Sequence, residues 1–136
     1  MQSLTAADVL QFRMQSQNVP ARASWYIVTG GPSTGKTSVL IELQKRGYAI
    51  KAEAATDFIK QELASGVAEP WLKSDFQRSI SLIHAEREQE ALGEKHKVVF
   101  FDRGPVDSLS YLLHSQKPCG EEVVSIIERG LLSGHY

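Results

Sequence analysis

Cys119 is the only cysteine in the 136-residue chain, which rules out an internal disulfide framework and any metal site built from several thiolates. Charge of one sign is equally scarce: 15 basic residues against 16 acidic ones leave a net charge of -1, with no run of like charge. No general nucleic-acid or membrane surface is therefore expected. No apolar stretch approaches membrane-spanning length, and the first 24 residues, polar and Gln-rich, lack the apolar centre of a signal peptide. These absences read as a cytoplasmic protein in a reducing compartment. Internal repeats and low-complexity tracts are missing as well. Cys119 itself, between Pro118 and Gly120, reads as an incidental loop thiol and not as a nucleophile. A chain of this length forms one domain able to bury around two thirds of its unfolded surface.

Against that plain background stands a complete phosphate-binding loop: Gly30, Gly31, Pro32, Ser33, Thr34, Gly35, Lys36 and Thr37, followed by Ser38. It comes after the apolar run Trp25 to Thr29 and opens a segment, Ser38 to Arg46, that reads as helix. Glycines at both ends let the backbone curl so that successive N–H groups face an anion, with the positive end of the next helix behind them. Lys36 is placed to reach the β- and γ-phosphates, and Thr37 to put its hydroxyl on Mg²⁺. The implied cofactors are ATP and Mg²⁺. The competing reading is a Gly-rich turn that binds nothing.

Strand and helix signals alternate along the rest of the chain. A short amphipathic helix over about Thr5 to Gln15 and a linker make up an N-terminal arm, residues 1–24, ahead of the nucleotide-binding domain, residues 25–136. After the first helix comes Gly47 as its stop, then a short strand from Tyr48 to Lys51, then helices over Ala54 to Ala64 and Asp75 to about Leu92, the latter closed by Gly93. Phe76, Ile80, Ile83 and Ala91 form its expected core stripe, and Arg78, His84, Glu86, Arg87, Glu88 and Glu90 its solvated face. A third strand, Val98 to Phe101, ends in Asp102-Arg103-Gly104, and helices over Val106 to His114 and Glu121 to Arg129 follow. This order implies an α/β fold of P-loop NTPase type, a doubly wound parallel sheet with right-handed crossovers and flanking helices.

Ligands of open α/β sheets collect at the carboxyl ends of the strands. Asp102, an acid ending an apolar strand, is placed to hold Mg²⁺ through water; the alternative is a simple turn residue. Arg103 could clamp a phosphate or pair structurally with Glu53 or Asp107. Glu53 could orient an acceptor hydroxyl and take its proton, or merely serve as a first-turn helix acid. Asp107 could cap the helix that follows or assist the site, and reads foremost as the cap. Gln77, Arg78 and His84 are candidates for an acceptor pocket but also ordinary surface residues, and Trp71 reads as a packing residue or part of a cover.

Three segments, Thr29 to Leu40, Gly47 to Ala55 and Phe100 to Tyr111, together resemble the small P-loop family labelled AAA, related to the ribosylnicotinamide kinase domain of the NadR regulator and, more distantly, to nucleoside kinases. The resemblance runs from about Trp25 to Tyr136. It implies a phosphate loop at Gly30 to Thr37, the strand-two glutamate at Glu53 and an Asp-Arg-Gly motif at Asp102 to Gly104. It also implies a small-molecule acceptor, nucleoside- or nucleotide-like. Family members continue with a further strand and a lid of arginines, whereas Leu131 to Tyr136 stops where that strand would begin. The expectation is weak nucleotide binding and slow transfer, below the roughly one turnover per second ordinary for kinases. A regulatory GTPase is the second class considered, and Asn-Lys-x-Asp is missing while the third strand ends Asp-Arg-Gly-Pro and not Asp-x-x-Gly. A nucleotide-binding module without phosphotransfer is the third.

Overall fold

The computed structural model describes residues 24–94, 96–132 and 135–136. The expected helix at Thr5 to Gln15 lies outside them. Strand β1 (Ser24–Val28) leads into helix α1 (Lys36–Lys45), strand β2 (Ala49–Lys51), helix α2 (Ala54–Ala64), a 3₁₀ turn at Pro70–Leu72, helix α3 (Phe76–Glu94), strand β3 (Val98–Asp102), helix α4 (Pro105–Ser115) and helix α5 (Glu121–Leu132). The three strands form one parallel sheet of order β1-β3-β2, flanked by helices. Ser24, assigned to the linker from sequence, is the first residue of β1.

Two-residue alternation decides which strand residues enter the core. Trp25, Val99 and Phe101 are buried together with Ala91 of α3, and the Trp25 and Phe101 rings meet at 5.1 Å. Lys51 shares that face of the sheet as the register partner of Phe101, and its buried ammonium reaches Glu94 at 2.7 Å and Glu90 at 3.5 Å on α3. On the alternate positions Tyr26 stacks on Phe100 at 5.4 Å and Tyr48 meets Phe100 edge-on. A second apolar cluster joins Leu109 and Leu112 of α4 to Val123, Val124, Ile127 and Leu131 of α5, with Cys119 between the helices. Burial raises the Cys119 thiol above its ordinary range, which agrees with an inert packing residue.

Helix α1 ends as expected, with Gly47 in the left-handed region at φ 92°. Helix α3 departs from expectation in two respects. It runs through Gly93 to Glu94, since glycine weakens a helix interior by only about 1 kcal/mol and Lys51 holds both Glu90 and Glu94 in the last turns. Its inward face also carries polar residues assigned to solvent: His84 and Glu88 are buried, whereas Phe76, Ile80 and Ile83 are half-buried. Distant groups make that burial tolerable. The Tyr136 hydroxyl donates to Glu88 Oε1 at 3.0 Å and lies 2.8 Å from His84 Nε2, which is itself 3.1 Å from Glu88 Oε1. Gly130 of α5 leaves the room, for a Cβ there would lie 2.6 Å from Glu88 Oε2. Along the edge of β1 away from β3, the Trp25 N–H donates to the His135 carbonyl at 2.7 Å.

Candidate active site

The loop between β1 and α1 has the backbone its sequence demands. Gly30 and Gly35 take φ 147° and 91°, angles that cost a residue with a Cβ dearly, and Ser33 also lies in the left-handed region at φ 56°. Gly35 is the N-cap of α1, no side chain caps that end, and no acid stands in its first turn. The first N–H groups of the helix and the positive end of its dipole are thus left for an anion. Lys36 folds back over the loop, its ammonium donating to the carbonyls of Gly30 at 3.2 Å and Gly31 at 3.0 Å, and Thr34 Oγ1 donates to the Gly31 carbonyl at 2.8 Å. Residues Ser33 to Ser38, Thr37 among them, line a concavity of about 330 Å³.

The carboxyl end of β3 supplies the acids. Asp102 Oδ1 is buried with no hydrogen-bond partner. Burial foremost, and then the charge of Glu53, push the Asp102 carboxyl above the ordinary range, while Lys36 and Arg103 pull it back. Val28, just before the phosphate loop, is the register partner of Asp102, so the loop and the β3 acid leave the same end of the sheet side by side. Arg103 follows in a left-handed turn, φ 64°, its N–H donating to the Val28 carbonyl at 3.0 Å. Its guanidinium donates to Glu53 Oε1 at 2.9 Å and lies 3.7 Å from Asp107 Oδ1.

Glu53 sits as the N-cap of α2, past the end of β2, and its other oxygen accepts from Thr56 Oγ1 at 3.0 Å. Arg87 of α3 steadies this corner by bonding both the Ala52 carbonyl and Asp57. Sequence reading had put Arg87 on the solvated face. Asp107 caps α4, accepting from the Gly104 N–H at 2.7 Å, and also accepts from Thr29 Oγ1, so the cap reaches back to the start of the phosphate loop.

These groups border a cavity of about 480 Å³. Glu53, Asp102, Arg103 and Asp107 occupy one part of its wall, and Trp71, Phe76 and Tyr111 contribute aromatic surface. Gln77 and His84 line it too, whereas Arg78 lies on the surface and pairs with Glu122 at 2.6 Å. Trp71 is 47% exposed, so it belongs to the rim and not to the core. The Tyr136 and Glu88 contacts that hold His84 in this wall were not legible from sequence, and the only signal was the spacing of His84 and Glu88 one helical turn apart.

A nucleotide with Mg²⁺ fits these residues. The loop offers N–H groups and a lysine to phosphates, and Asp102 offers an unmet acceptor atom in the same neighbourhood. Protein ligation of Mg²⁺ in such sites is sparse, because phosphates and water supply most of the oxygens. The described residues contain no cluster of three or more His, Cys, Asp or Glu that could hold a metal ion.

The shift at Asp102 carries a sign. A carboxyl whose folded-state pKa is raised binds its proton more tightly in the native state, so its ionisation costs stability once pH climbs above about 4, and the cost is complete above the raised value. Asp102→Asn is expected to match the parent at pH 3 and to be the more stable at pH 7, by less than about 1 kcal/mol because the group is only part-buried and water screens it. Urea midpoints at the two pH values read this directly, and a variant less stable at pH 7 than at pH 3, relative to the parent, contradicts it.

Among the described residues no helix is long and apolar enough to cross a membrane. No curated protein and no solved structure matches the chain. A family model described as AAA domain matches residues 25–133, from the first core tryptophan to the end of α5 and across both halves of the site. Matched over most of its length by that model, and folded as a parallel sheet flanked by helices, the chain belongs to the AAA-domain family of nucleotide-binding P-loop proteins.

Proposed function

We propose that the protein is an Mg²⁺-dependent kinase of a small hydroxyl-bearing molecule, with ATP as donor. The observation that carries this reading is the large cavity whose wall contains Glu53, Asp102 and Arg103, at the strand ends beside the phosphate loop, where Val28 of β1 is the register partner of Asp102. A nucleotide switch needs no second cavity beside its phosphates; a phosphotransferase does.

In this mechanism the loop N–H groups and Lys36 bind the β- and γ-phosphates, Thr37 and Asp102 would hold the metal, and bound Mg²⁺ supplies neutralisation of the phosphate charge. Glu53 orients the acceptor hydroxyl and takes its proton. Arg103 donates to Glu53 and has a planar fork suited to phosphate oxygens. The same pair supports a second reading, a nucleotide-binding module without phosphotransfer, since it neutralises both groups against each other.

Glu53→Gln separates the two. Loss of the base is expected to lower single-turnover transfer from Mg-ATP by at least about a hundredfold, with Mg-ATP affinity left within about twofold because the loop is untouched. Unchanged transfer removes Glu53 from the mechanism. A wild-type protein that binds Mg-ATP yet phosphorylates no acceptor in a broad hydroxyl panel favours the second reading.

A further inference from the structure

The strand order β1-β3-β2 sends the first crossover, through α1, across the sheet in one direction and the second, through α2 and α3, back in the other. Right-handed connections running in opposite directions lie on opposite faces. Helix α3 accordingly packs on Trp25, Val99 and Phe101, and α5 joins it there through Gly130 against Glu88 and the Arg78–Glu122 pair. Among the described residues the other face has α1 alone, which packs chiefly against β2 and β3. That face carries Tyr26 and Phe100, their rings 5.4 Å apart, and Tyr48 at 5.3 Å from Phe100. Tyr26 is 52% and Tyr48 43% exposed, and α1 leaves Val39 and Ile41 exposed too. Parallel sheets ordinarily have both faces covered. Here an open aromatic surface lies on β1, where α1 does not reach.

We propose that this surface is a docking site for the chain's own segment from Thr5 to Gln15, which folds back as a helix onto the Tyr26, Tyr48 and Phe100 rings. The sequence predicts a helix there, with Val9 and Phe12 three residues apart and Leu10 and Met14 four apart. The dimensions agree. A helix from Thr5 to Gln15 is about 16 Å long, and a five-residue strand such as β1 about 17 Å. Residues 16–23 span up to about 26 Å, against a sheet of three strands only about 10 Å across. The point of attachment agrees as well: the segment joins the sheet at Ser24, the first residue of β1, two positions before Tyr26 and on the same side of the strand. Attachment also favours this occupant over a second copy, since a short tether presents its helix at an effective concentration on the order of millimolar.

The test uses the full chain carrying Gln11→Cys with a nitroxide attached at that position; Cys119 is buried and escapes the label. Paramagnetic broadening of amide signals is expected at Tyr26, Tyr48 and Phe100 and not at Leu109 and Ile127, which belong to the cluster of α4 and α5. Signals of the first three that stay sharp, or equal broadening in both groups, overturn the inference. So does broadening carried between molecules when nitroxide-bearing protein is mixed with isotope-enriched parent, because the occupant is then a second copy. Phe12→Asp gives an independent measurement in unlabelled protein. Its urea midpoint is expected to fall by about 0.5 M or more, and that of Phe12→Leu to stay within about 0.2 M of the parent. Equal midpoints for all three proteins overturn the inference too. Neither readout involves a nucleotide, so the result is independent of the kinase reading.

Discussion

Lys36→Ala is expected to lower Mg-ATP affinity by about a hundredfold or more. The ammonium is the single fixed cation of the loop, and charge-assisted hydrogen bonds of this kind contribute about 1.5–3 kcal/mol each, where 1.4 kcal/mol is a factor of ten. The folded state should scarcely notice, because the Gly30 and Gly31 carbonyls that Lys36 holds belong to a largely exposed loop and pass to water. Titration with Mg-ATP measures the first quantity and a urea midpoint the second. An affinity within threefold of wild type would show that Lys36 does not contact the phosphates. A large fall in stability would show instead that the lysine is mainly a loop staple.

Gly104→Ala is expected to cost about 1–3 kcal/mol of stability through overpacking. The backbone at Gly104 is extended, φ -153°, so conformation is not the reason. Space is: a Cβ there would lie 2.3 Å from Ile27 Cδ1 and 2.9 Å from Ile27 Cγ1. The Cδ1 methyl can swing aside, but Cγ1 sits on a β-branched side chain with little freedom at χ1, held in β1. Relief should therefore come from Ile27→Val, which removes the closest atom. The double variant is expected to be less destabilised than the sum of the two single ones, with a coupling of at least about 0.5 kcal/mol. Strict additivity of the urea midpoints would remove this contact from the explanation. Because Gly104 follows Arg103 and donates its N–H to the capping Asp107 carboxylate, the same substitution should disturb the acid end of the cavity as well.

The extent to which the sequence foretold this molecule follows from the range of the forces involved. Helix α2 was legible as a segment from Ala54 to about Ala64, because its limits are set by local breakers. So was the phosphate loop, whose glycine angles are a local steric demand. The strand-ending acid Asp102 was legible for the same reason. What escaped were groups whose environment is fixed by residues far along the chain. Arg103 and Glu53 are 50 positions apart, so either could be weighed as phosphate clamp, base or structural pair without one choice forcing itself. The inward polar line of α3 was read as solvent-facing since polar residues on a helix usually are. Its burial depends on Tyr136, 52 positions from His84, and on the missing Cβ of Gly130, neither of which leaves a mark within α3 itself.

The placement of the two tryptophans has a practical side. Trp25 lies in the core, wedged among Phe101, His135 and Tyr136, whereas Trp71 lines the 480 Å³ cavity with almost half its surface in water. The molecule thus carries two native fluorophores in contrasting solvents, one blue-emitting and tied to the integrity of the sheet, the other red-emitting and open to quenching by whatever enters from outside.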